Sequence, residues 1–208
     1  MNEALEFVAN LAGAQLEIAF LVFLRVSAMF TLLPALGEQS VPVRIRLMLA
    51  LLFTVILAPM AAPHIPPLQS TSHLASLVVS EVVAGLALGM LLRLAMMVIQ
   101  IAGSIAANVT SLAQVFGGSS VDPQPAIAHL LFVAGLAIIT LADLHLKVLM
   151  ALIDSYMLFV PGNLPSGADF ADWMTGNVSH AFSFAFTLAA PFVVVSVSYT
   201  HLTLPTKA

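Results

Sequence analysis

The chain contains no cysteine, so disulfides, thiolate nucleophiles and thiolate metal sites are excluded. Charge is also scarce. Only 8% of the 208 residues are Asp, Glu, Lys or Arg, and six bases stand against ten acids for a net charge of −4. With no basic run, binding to nucleic acid is excluded as a main function. Catalytic signatures are missing as well. There is no His-Glu-x-x-His, no Gly-x-Ser-x-Gly and no phosphate-cradling loop, and the six histidines have no ligand spacing. The sequence therefore predicts no enzyme, no metal and no cofactor. The N-terminal MNEALEFVAN has acids where a secretory signal has its bases, and no cleavage pattern follows. The first apolar block is expected to be retained, with no cleavable signal peptide.

What the chain has is apolar surface: 61% of residues are hydrophobic, which is the composition of a membrane protein. Five apolar blocks are visible. The first runs from about Leu16 to Leu33 and stops at Pro34, and residues 35–46 read as a loop holding Arg44 and Arg46. The second, Leu47 to Ala58, reaches only about 18 Å at 1.5 Å per residue, short of a bilayer, unless its flanks are drawn in. Residues 59–73, with four prolines and two histidines, read as irregular. The third block, Leu74 to Ala102, is too long for an upright span. The fourth, Ala126 to Val160, would reach about 52 Å as a straight helix, and reads as a kinked helix or a helical hairpin. Residues 161–177 read as a loop with a short interfacial turn at Phe170 and Trp173, and the fifth block runs from near Val178 to Val197 with Pro191 inside. The ending SYTHLTLPTKA changes character abruptly, and residues 198–208 are read as a non-native tail on a single membrane domain, residues 1–197.

The apolar blocks hold charges that hydrocarbon penalises by roughly 2.5–3.5 kcal/mol each, even on the lenient insertion scale. Glu17 and Arg25 lie in the first block, Glu81 and Arg93 in the third, and Asp143, His145, Lys147 and Asp154 in the fourth. Asp143 and Lys147, four apart, are expected to pair on one helix face, while Asp143 and His145 point about 200° apart. Glu17 with Arg25, and Glu81 with Arg93, have no local pairing geometry. Their partners are expected in other subunits, with pairing inside the chain, such as Arg25 with Glu81, as the alternative. Gly85 and Gly89 form a Gly-x-x-x-Gly pair that lets a second helix backbone come close. Residues 108–125, NVTSLAQVFGGSSVDPQP, read as a loop in which the apolar Val115 and Phe116 precede a flexible Gly117-Gly118-Ser119-Ser120. The Arg44/Arg46 pair predicts that its loop is cytoplasmic and the acidic N-terminus outside.

Taken in order, these segments resemble the flagellar biosynthetic protein FliR family and its type III secretion counterparts. The carriers are FLRVSAMFTLLPALGEQSVPVRIRLMLALLFTVILAP at 23–59, SEVVAGLALGMLLRLAMMVIQIAGSIA at 80–106, Val121-Asp122-Pro123, ADLHLKVLMALIDSYMLFVPG at 142–162 and LAAPFVVVSV at 188–197. Leu144 stands where the family usually has glycine. The resemblance implies an all-α polytopic integral membrane protein of helical hairpins with kinked helices. It implies a structural, non-enzymatic subunit of a helical export-gate assembly at the inner membrane and flagellar basal body. Implied partners are FliP-like, FliQ-like and FlhB-like membrane subunits and unfolded export substrates. The resemblance also implies that the loop around Gln114, Val115, Phe116, Gly117 and Gly118 plugs the channel at rest. The residues read as intramembrane polar or assembly positions are Arg25, Glu81, Asp143, His145 and Lys147. A small-solute or ion-coupled secondary transporter is the alternative, though no inverted repeat is visible.

Overall fold

In the computed structural model, residues 2–34, 41–68, 70–115, 130, 133–135, 137, 141 and 143–203 are described. Five α-helices account for most of them: α1 (Asn2–Leu32), α2 (Val43–Ala61), α3 (Thr71–Val115), α4 (Leu144–Leu158) and α5 (Gly167–Thr203). No strand occurs among the described residues. The fold is all-α and polytopic. Among the described residues, four segments are long and apolar enough to cross a bilayer: Ala12–Leu32, Val43–His64, Thr71–Ala106 and Gly167–Ser198.

Local chemistry sets the helix ends. Pro34 follows the last turn of α1, where the Leu33 N–H still reaches the Met29 carbonyl at 3.1 Å. Pro42 caps α2 and its carbonyl accepts from the Ile45 and Arg46 N–H groups at 3.0 and 3.3 Å. At α3 the Ser70 hydroxyl accepts from the His73 N–H at 3.2 Å, and at α5 the Ser166 hydroxyl accepts from the Asp169 N–H at 3.1 Å. Both are side-chain N-caps of the expected kind. The Ser166 hydroxyl also donates to the Asp169 carboxylate at 2.6 Å.

Several helix boundaries differ from the sequence expectation. The short second block is a 19-residue helix followed by a 3-10 turn, Ala62–His64. It draws in Arg44 and Arg46 at one end and Pro59 at the other, so the expected loops at 35–46 and 59–73 are each shorter than predicted. Pro59 costs one backbone hydrogen bond but sits in the last turn, where little helix remains to be disrupted. The flank reaches the 22-residue length that a span needs. Residues 108–115, expected as loop, continue α3, a helix of 45 residues. Helix α5 begins at Gly167, so Phe170 and Trp173 stand in its first turns and not in a separate interfacial turn. The overlong fourth block is interrupted at Asp143, which adopts a left-handed φ of 54° directly before α4. Helix α5 extends through Thr203, and residues 204–208 lie outside the described residues.

The chain divides into two compact units. The first holds Met1–Arg93 and His145–Phe170, the second Leu94–Leu144 and Ala171–Ala208. In the first unit, Leu21, Val22, Val26, Met29 and Phe30 of α1 are buried with Leu57 of α2, Leu77 of α3 and Leu152 of α4. Phe30 meets Phe53 of α2 edge to face, with ring centroids 5.2 Å apart. The second unit is built from smaller groups. Ala102 and Ala106 of α3 are buried, as are Ala181, Ala185 and Ala189 of α5, spaced by four residues along one face. A Cβ on Gly135 would press on the Ile99 side chain at 2.8 Å.

Candidate functional site: a buried arginine knot

Helix α1 lies against the glycine pair of α3. A Cβ on Gly85 would overlap the Arg25 carbonyl oxygen and come within 2.9 Å of the Ala28 Cβ. A Cβ on Gly89 would stand 2.7 Å from the Met29 carbonyl oxygen. The two backbones touch because both positions lack a side chain, which is the packing that small-x-x-x-small pairs permit.

This close approach brings Arg25 of α1 next to Glu81 of α3, one turn before Gly85. Both residues are fully buried, at 0% exposure. The guanidinium grips the carboxylate through two parallel bonds, Nε to Oε2 at 2.6 Å and Nη2 to Oε1 at 2.9 Å. Its remaining donors reach α4 and the turn after it. Nη1 donates to the Ser155 hydroxyl at 2.8 Å and Nη2 to the Phe159 carbonyl at 3.0 Å. The Tyr156 ring lies over the guanidinium, 3.7 Å from ring centroid to Cζ. One arginine thus ties three helices. The turn itself is held by the Gly162 N–H, which donates to the Ser80 hydroxyl at 2.8 Å. Position 162 favours glycine because its backbone adopts a left-handed φ of 81°.

The expectation that Arg25 and Glu81 find partners in other subunits is therefore corrected. They neutralise each other, and the isolated unit carries no net charge at this buried point. Periodicity along one helix could not reveal a pair 56 residues apart. Ser155, Tyr156 and the Phe159 carbonyl were also missed, because a serine and a tyrosine inside an apolar block carry no signal until the helices are assembled.

The other predicted positions lie elsewhere. Asp143 precedes α4 in a non-helical conformation, which removes the helical spacing that its predicted contact with Lys147 required. Both side chains are exposed and no ion pair joins them. Among the described residues the one ion pair between acidic and basic side chains is Arg25–Glu81. His145 is the second residue of α4, and its side chain lies outside the described residues. Gln114 and Val115 close the last turn of α3, with side chains outside the described residues, and Phe116, Gly117 and Gly118 lie outside them altogether. No cluster of His, Asp or Glu suited to a metal ion occurs among the described residues.

A family model described as bacterial export proteins, family 1, matches residues 16–203, nearly the whole chain. The chain belongs to this family. The flagellar biosynthetic protein FliR of Caulobacter vibrioides is 36% identical over 188 residues, covering 89% of this chain and 75% of that protein. With four apolar helices long enough to cross a bilayer among the described residues, this bacterial export protein is a membrane protein of the export apparatus. The match begins at residue 16 and so includes every element of the knot: Arg25, Glu81, Ser155 and Tyr156.

Proposed function

We propose that the chain is a non-enzymatic subunit of the flagellar protein export gate in the inner membrane, at the flagellar basal body. In this reading it assembles with FliP-like, FliQ-like and FlhB-like membrane subunits around a channel for unfolded substrates. The segment Gln114–Gly118, with Val115 and Phe116 as its apolar residues, closes that channel at rest. The family match across residues 16–203 carries the reading. Two features support it. The Gly162 turn and the arginine knot give the first unit a fixed core, suited to a static structural part. The α5 segment Gly167–Ser198 is only 11% buried within the chain and presents Phe182, Phe184, Phe186 and Phe192 outward, suited to contact with other helices.

A small-solute or ion-coupled transporter needs a carboxylate free to titrate along a path. Glu81 does not suit that role, since the Arg25 guanidinium occupies both its carboxylate oxygens and the residue is completely buried. The test of the gate reading has two parts. Tagged chain extracted in mild detergent is expected to co-purify stoichiometrically with other small membrane subunits; a stable lone monomer overturns the assignment. Deleting residues 115–118 in the assembled complex is expected to make resting membranes leaky to small ions; unchanged leakage removes the plug assignment while leaving the subunit assignment intact.

A further inference from the structure

The contacts of the first unit fix the alignment of its helices, and the alignment collects charges that the sequence scatters. Arg25 and Ala28, then Met29 and Leu32, meet Gly85 and Gly89 in ascending order, so α1 and α3 run parallel. Arg93 therefore lies one turn beyond Gly89, level with the end of α1, about 12 Å along the bundle from Gly85 and hence from Arg25. The Phe30–Phe53 contact, with the short connection between α1 and α2, makes α2 antiparallel. Arg46 and Arg44 then stand about 10 and 14 Å beyond Phe30 towards that same end. In α4, Ser155 is level with Arg25 while Gly162 packs near Leu77 and Ser80, so α4 is antiparallel too. Lys147, eight residues before Ser155, falls about 12 Å from Arg25, again at that end.

Four bases from three helices, Arg44, Arg46, Arg93 and Lys147, thus lie in one layer about 9 Å deep. Among the described residues these are all the lysines and arginines except the buried Arg25. Arg44, Arg93 and Lys147 are exposed and Arg46 is half-buried. Glu17 lies about 12 Å from Arg25 in the opposite direction.

The layer lies near the boundaries of the α1 and α2 spans. The α1 span ends at Leu32 and the α2 span begins at Val43. From Thr71 to Arg93 α3 covers about 33 Å, close to the roughly 30 Å thickness of a bilayer's hydrocarbon. The apolar stretch of α3 continues past Arg93 to Ala106, so the level is marked by the charges together with the end of the α1 span and the start of the α2 span.

We propose that this layer is a binding surface for the phosphates of anionic phospholipid headgroups, on the cytoplasmic side of the membrane. Guanidinium groups at that depth reach phosphate oxygens while their stems stay along the apolar helices. Each base near an anionic surface strengthens association by about fivefold at most. Lys147 contributes least, because the Asp143 carboxylate is close to it in the chain. The surface is independent of the gate reading, since any membrane protein with this layer would bind the same headgroups.

The test uses the full chain reconstituted in vesicles with photo-crosslinkable phosphatidylglycerol or phosphatidylcholine at equal dose. The wild type is expected to label several-fold more with phosphatidylglycerol, and a variant with Arg44, Arg46, Arg93 and Lys147 all changed to Gln to label equally with both. Arg44→Lys with Arg93→Lys, which keeps the charge, and Glu17→Gln are expected to retain the preference, so a loss caused by misfolding shows itself in these two controls. Equal labelling of the wild type overturns the proposal, as does a preference that survives in the fourfold Gln variant. Loss of co-purifying membrane proteins in that variant, with no lipid preference in the wild type, identifies an acidic protein face as the partner and overturns it too. Because the chain has no cysteine, single cysteines report the side directly. With an impermeant thiol reagent added to intact cells, Ser70→Cys is expected to label and Val41→Cys to stay protected; the reverse pattern overturns the cytoplasmic placement.

Discussion

The two units of this export protein are held together by different chemistry. The first buries large side chains and a fully paired arginine, and its α1 span is 39% buried within the chain. The second buries mostly alanine, and the α5 segment that supplies one of its faces is 11% buried. Large interlocking groups and directional bonds specify one arrangement, since any shift breaks several contacts at once. Alanine faces let helices come close but release little on packing, because each buried methyl contributes under about 1 kcal/mol. The first unit is therefore expected to form its contacts within the chain, and the second to rely on what surrounds it.

The sharpest way to break this contrast is to remove half of the knot. Glu81→Ala leaves a guanidinium buried without its carboxylate, at an expected cost of about 3–5 kcal/mol. Replacing both partners, Arg25→Leu with Glu81→Leu, is expected to cost less than either single change, because no charge is left stranded. Reversible unfolding of the detergent-solubilised full chain measures both, and a double variant worse than Glu81→Ala refutes the account. Next in size is Gly85→Ala. Its Cβ meets the α1 backbone, which has no rotamer to yield, and the expected loss is about 3 kcal/mol in the same assay. Ser155→Ala removes one acceptor from a charged donor and is expected to lose about 1.5 kcal/mol. The smallest effect has the opposite sign. Gly176 lies within α5 and a Cβ there meets nothing within 4 Å. Gly176→Ala is expected to stabilise by about 0.5–1 kcal/mol through helix propensity alone. If Gly85→Ala and Gly176→Ala moved stability the same way, the distinction between a tight and an open unit would fail.

Much of the fold was legible before assembly. The apolar blocks gave the helices, prolines 34 and 42 gave the first turn, and Gly85 with Gly89 marked a close helix contact. Misjudged boundaries came from reading Pro59, Arg44 and Arg46 as loop residues, although the ends of a membrane helix accept a proline and snorkelling bases. At the candidate site, the charges were visible but their partners were not. Asp143 and Lys147 looked like a pair because the spacing assumed a continuous helix, and the left-handed Asp143 breaks that assumption. Arg25 and Glu81 looked stranded because a contact across 56 residues leaves no periodic trace.

By itself, then, the sequence determined the class of molecule: apolar area and helical block lengths dictate a polytopic helical membrane protein, and the lack of cysteine and catalytic motifs narrows what it can do. Only the tertiary structure decided that Arg25 and Glu81 are spent on each other inside the fold. Pairing depends on how far each helix slides along its neighbour, and that register is set by side-chain packing at Gly85, Gly89 and the Gly162 turn. The same register brings Arg44, Arg46, Arg93 and Lys147 to one level, although more than a hundred residues separate the first of them from the last.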